Sequence, residues 1–104
     1  MSSEKKAGAV ISLDEAQKLV IAYQEKNPQQ PKAFLIDADL IRLLVDQKGC
    51  ESIRIYNGFD EKAGSETSVI IGVDSNNADM AKGVILDKAV LCPPYHIDGS
   101  LIDL

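Results

Sequence analysis

Ser52-Ile53-Arg54-Ile55-Tyr56 and Thr67-Ser68-Val69-Ile70-Ile71-Gly72-Val73-Asp74 are two β-like runs joined by a polar loop. The first alternates apolar and polar side chains with period two, as a strand with one buried face does. The second is rich in β-branched residues and sets Val69, Ile71 and Val73 on one face. Asn57-Gly58 and Ala63-Gly64-Ser65 bracket a charged loop between them that is too short for the helical crossover parallel neighbours need. An antiparallel hairpin is therefore expected. Arg54 and Tyr56 fall on its outward face, and Ile70 and Gly72 are expected on the corresponding face of the second strand.

Outward from the hairpin, Ser12-Leu13-Asp14-Glu15 fits a capping box, and the acidic pair suits the positive end of a helix dipole. Leu13, Ala16, Leu19, Val20 and Tyr23 recur at helical spacing, with Ile21 and Ala22 widening the stripe, until Asn27-Pro28 ends the element. The spacing predicts a helix over about Leu13 to Lys26. Ala33 to Ile36 reads as a brief extended segment. A second helix follows, with Asp37 as N-cap, Ile36 and Ile41 as a hydrophobic staple, Gly49 as a left-handed C-cap, and Leu40, Ile41, Leu43, Leu44 and Val45 as a broad apolar face.

Gly83-Val84-Ile85-Leu86-Asp87 reads as a third strand, continued after a bend by Ala89 to Cys92 and stopped by Pro93-Pro94, which lack amide donors. Residues 1–11 carry no periodicity and are expected to be a flexible tail. Residues 12–104 are expected to form a single α+β domain, with two N-terminal helices packed on one face of a small, mainly antiparallel three-stranded sheet. The segment from Tyr95 to Leu104 holds too many apolar residues for a solvated end and is expected to dock on the domain or a partner.

Composition narrows the function. A net charge of −5 over 104 residues, with 11 scattered basic side chains, offers neither a nucleic-acid footprint nor a patch for anionic membranes. No secretory leader or membrane-spanning run is legible, so a cytoplasmic location is expected. Two cysteines, Cys50 and Cys92, are too few for a disulfide scaffold. No cofactor is implied.

Gly49-Cys50, Ile53-Arg54-Ile55-Tyr56-Asn57-Gly58, Val73-Asp74 with Asn77 and Asp79, and Leu91-Cys92-Pro93-Pro94-Tyr95 together resemble a pattern of small bacterial proteins to which no activity is attached. The resemblance spans Ile36 to Tyr95. It implies an α+β domain and brings no catalytic residues. In that pattern a further cysteine often follows the paired prolines, whereas here His96 occupies the region.

Cys92-Pro93-Pro94-Tyr95-His96 is the most suggestive chemical cluster, with Asp98 close by. A closed zinc site takes about four ligands and would need Cys50, Cys92, His96 and a carboxylate such as Asp98 together, without the paired close spacings that structural zinc sites show. Thiol catalysis would need His96 within hydrogen-bond reach of Cys92, and an extended Pro-Pro segment does not bring them together. The bland reading is a core cysteine and a surface histidine. Asp74, Asn76 and Asp79 hint at a calcium loop, but glycine and a bidentate acid are missing where an EF-hand needs them. Asp37 and Asp39 are explained by capping and the helix dipole.

Arg54, Tyr56 and Ile70 form the more interesting set, because arginine and tyrosine are enriched at interface hot spots. The competing account is ordinary cross-strand packing on a wet face. The leading expectation is a non-enzymatic protein-interaction module that binds an unknown partner or a second copy through the open sheet face or edge. The alternative is a small metal-binding or thiol-dependent enzyme using Cys92 and His96.

Overall fold

A computed structural model describes residues 7–30 and 33–92. In chain order the elements are α1 (Leu13–Lys26), β1 (Ala33–Leu35), α2 (Ala38–Val45), β2 (Ser52–Asp60), β3 (Ser65–Val73), β4 (Ile85–Leu86) and β5 (Val90–Cys92). The class is α+β. Among the described residues no helix is long and apolar enough to cross a membrane.

The hairpin is longer than its apolar runs. β2 and β3 pair antiparallel from Ser52 opposite Val73 to Asp60 opposite Ser65, so Asn57 and Gly58 lie inside the strand. Asp60 closes the reversal: its carboxylate accepts from the Lys62 and Ala63 amides at 3.0 and 3.1 Å. Its carbonyl accepts from Gly64 at 2.8 Å, with Gly64 at φ 66°, a conformation glycine adopts without strain.

β4 pairs with the far side of β3 through Ile70–Leu86 and Ile71–Ile85, giving the order β2-β3-β4. Ala89 to Cys92 does not continue that strand. β5 pairs with β1 in a separate two-stranded antiparallel sheet, Ala33 opposite Cys92 and Leu35 opposite Val90. The break has a local cause. Lys88 sits at φ 63°, and Asp87 holds the bend by accepting from the Lys88 amide at 2.6 Å and the Thr67 hydroxyl at 2.8 Å.

Register decides the faces. Side chains directly opposite each other share a face, and here Ile55 is opposite Ile70, Ile53 opposite Gly72, Arg54 opposite Ile71 and Tyr56 opposite Val69. Ile70 therefore does not accompany Arg54 and Tyr56, contrary to the sequence expectation. It faces α2, where Leu44 (0% exposed), Ile70 (6%) and Leu86 (7%) form the buried cluster, bordered by Ile36, Ile41 and Val84. β3 is apolar on both faces, so alternation alone could not say which face α2 covers.

Both helices form, but they bury different amounts. α1 has its capping box: the Glu15 amide donates to the Ser12 hydroxyl at 3.1 Å and the Ser12 amide donates to the Glu15 carboxylate at 3.3 Å. None of its residues is buried. Its apolar positions are spread around much of the wheel, so no single stripe is deeply covered. α2 ends at Val45 with Asp46 as a right-handed cap, short of Gly49. Gly49, at φ 90°, belongs to the tight turn into β2, in which the Cys50 amide donates to the Gln47 carbonyl at 3.0 Å. Asp37 caps α2 by backbone position, without a side-chain bond.

Candidate functional site at the hairpin edge

On the face opposite α2, Arg54 and Tyr56 are met by side chains from the loop that follows β3. After β3, Asp74 accepts the Asn76 and Ala78 amides on its carboxylate at 2.9 and 3.0 Å, a self-bonded turn of the kind short acidic side chains favour. Asn77 takes φ 65°, and Asp79 then bridges antiparallel to Val73. The chain thus doubles back along β3 and presents Asn77 and Asp79 to Arg54 and Tyr56.

Arg54 donates to the Asp79 carboxylate at 2.5 Å and to the Asn77 side-chain oxygen at 2.8 Å. The Tyr56 hydroxyl donates to the second Asp79 oxygen. Because Arg54 is opposite Ile71 and Asp79 is paired with Val73, these bonds cross β3 diagonally, above two buried apolar side chains. The polar ends of Arg54 and Tyr56 are thereby committed inside the chain.

The network fixes charge states. The Tyr56 hydrogen bond and then the Arg54 bond hold the Asp79 carboxyl below the usual aspartate range. The same carboxylate raises the Tyr56 phenol and the Arg54 guanidinium above their ordinary values. A depressed carboxyl stabilises the fold above its unfolded pKa and loses that contribution as pH falls through the folded value. A raised phenol contributes below the ordinary tyrosine value and loses it as pH rises through the folded one. The urea midpoint should therefore drop at both the acid and alkaline ends. Asp79→Asn should flatten the acid limb below about pH 4 and Tyr56→Phe the alkaline limb above about pH 10, as read by urea titrations across pH.

The metal and thiol candidates are not assembled among the described residues. Cys50 is half-buried, with its thiol 3.3 Å from the Ser52 carbonyl, and lines a groove of about 260 Å³ with Val45, Glu51, Ser52 and Ile53. Cys92 is buried in β5 opposite Ala33. Neither is in a disulfide. No group of three or more His, Cys, Asp or Glu side chains that could hold a metal occurs among the described residues. His96, Asp98 and the docking expected of the segment from Tyr95 to Leu104 lie outside them, as do residues 1–6 of the expected tail.

No protein-family model matches this chain, and no curated protein or solved structure is detectably similar to it. The functional reading therefore rests on the surface itself.

That surface is dominated by the outer rim of β2. Among the described residues β2 is paired only on its β3 side, leaving a nine-residue edge. On the α2 face of this strand Ile55 (61% exposed) stands in solvent, Ile53 (38% exposed) borders the Val45 groove, and Phe59 (57% exposed) borders grooves shared with Tyr23, Phe34 and Leu91, because the buried cluster centres on β3 and β4 and stops short of the rim. Natural edges are usually blunted by lysine, proline or an outward charge. Ser52–Asp60 contains no lysine or proline, Arg54 is drawn inward to Asp79, and the Asp60 carboxylate is occupied by the turn. Reading the sequence for exposed arginine and tyrosine missed Ile55 and Phe59. The usable signal was the alternation itself, which sets Ile53 and Ile55 on one face and, past Asn57, places Phe59 on the same face.

Proposed function

We propose that the protein is a non-enzymatic interaction module that receives an extended segment of a protein partner along the outer edge of β2. The observation that carries this reading is the unpaired nine-residue edge flanked on one face by exposed Ile53, Ile55 and Phe59. In strand addition the free backbone groups of an edge supply affinity, and alternate side chains of the incoming segment supply specificity. Ile53, Ile55 and Phe59 offer apolar contacts, and Asn57 a polar one, to alternate residues of such a segment. Arg54, bound by Asp79 and Asn77, stiffens the opposite face of the same strand.

Selection of a random-peptide display library on the folded chain tests this. Enriched peptides should carry apolar residues at alternate positions, and Ile55→Lys with Phe59→Lys should abolish their capture. Binders indifferent to both substitutions, or no enrichment by a chain that is monomeric under the selection conditions, would defeat the proposal.

A further inference from the structure

The partner strand has a chemistry the chain itself possesses. Resting on the strand-addition reading above, we infer that the segment received is the β2 strand of a second copy, paired antiparallel about a two-fold axis at Tyr56. A two-fold that sets two identical strands side by side and antiparallel stands normal to the sheet and keeps each face with itself, so the numbers of opposed residues sum to an even value. Only the register centred on Tyr56, the midpoint of Ser52–Asp60, overlaps the strand completely, over roughly 30 Å.

That register is chemically complementary. On the α2 face Ile53 meets Phe59 of the second copy, and Ile55 meets Asn57 and lies diagonal to the same ring, so two Ile–Phe clusters flank a central pair of asparagines. On the other face Arg54 meets Gly58, whose missing side chain leaves room for the arginine stem, and Ser52 meets Asp60. No like charges are opposed. Centring on Arg54 instead would face arginine with arginine, centring on Ile55 would leave Phe59 opposite Glu51, and centring on Asn57, which sets Arg54 against Asp60, would push Ser52 and Ile53 past the end of the partner strand with Ile53 opposite Glu61. The product is a continuous six-stranded sheet, from two copies of the order β2-β3-β4, with both α2 helices on one side.

Light scattering over a concentration series, with peptide capture measured in parallel, is the test. The wild-type chain should approach twice its monomer mass, and Ile55→Lys with Phe59→Lys should raise the dimer Kd at least about a hundredfold while leaving circular dichroism unchanged. Register is read by disulfide trapping in a Cys50→Ser background. Ile53→Cys mixed with Phe59→Cys should cross-link, since opposed Cα atoms about 4.5–5.5 Å apart suit a disulfide. Ile53→Cys alone should not, because those positions would lie roughly 20 Å apart. A chain that stays monomeric yet captures alternating peptides overturns the dimer and leaves the interaction reading standing. A dimer untouched by the edge lysines, or trapped equally by Ile53→Cys alone, overturns the β2 pairing. A monomer that captures nothing removes both.

Discussion

Leu44→Ala should lower the unfolding free energy by about 2–5 kcal/mol, read as a shift of the urea midpoint at unchanged slope. Leu44 is the one fully buried large side chain among the described residues, held against Ile70 and Leu86. Truncation removes the transfer term and leaves a cavity between α2 and the sheet, which the surroundings refill only in part. The neighbouring Leu43, on the same helix, is 55% exposed, so Leu43→Ala should change stability by less than about 1 kcal/mol. Equal effects from the two substitutions would mean that α2 does not anchor the sheet as described. The size of the contrast matters because α1 buries no residue, leaving the cluster under α2 to carry much of the cohesion between helix and sheet.

The hairpin, α1 and the capping box were legible because each is a local pattern: period two, helical spacing, and a serine followed three positions later by glutamate. Face assignment was not legible. Ile70, Ile71, Gly72 and Val73 are all buried, so alternation vanishes in a central strand; the pairing with β2 separates Ile70 from Arg54 and Tyr56, and only the packing shows it against Leu44. The fate of β5 was equally hidden. Its pairing joins Ala33 to Cys92, and nothing local in Val90-Leu91-Cys92 separates a partner in β1 from one in β4.

The candidate site shows the same division. Arg54 and Tyr56 drew notice by residue type, yet their placement depends on the turn at Asp74, which returns Asp79 to them from far along the chain. An arginine that reads as a free hot spot thus serves as an inward tie. Its commitment leaves the strand edge without an outward positive charge, which makes the rim of β2 more suited to pairing than the sequence alone conveyed.

Gly72→Ala should cost about 1–3 kcal/mol, although it adds one methyl group to a strand. A Cβ there would lie 2.9 Å from the Gln47 amide nitrogen, 3.0 Å from the Cys50 sulfur and 3.2 Å from the Met80 sulfur. Gln47 is poorly placed to yield. Its nitrogen donates to the Leu44 carbonyl at 3.0 Å, capping the end of α2, and its oxygen accepts the Val84 amide at 2.8 Å, tying α2 to the segment that leads into β4. Moving the side chain aside breaks a bond on one or both sides. Gln47→Ala alone should therefore also destabilise, by about 1–3 kcal/mol, since it strands a part-buried amide and carbonyl. The two losses should not add. With Gln47 shortened, the closest obstacle to the new methyl is gone, and the double variant should be more stable than the sum of the singles by about 1 kcal/mol. A urea double-mutant cycle measures that coupling directly. Strict additivity would show that the approach of Gln47 to Gly72 is not what excludes a side chain there, and that the link from α2 to β4 does not run over the backbone of β3.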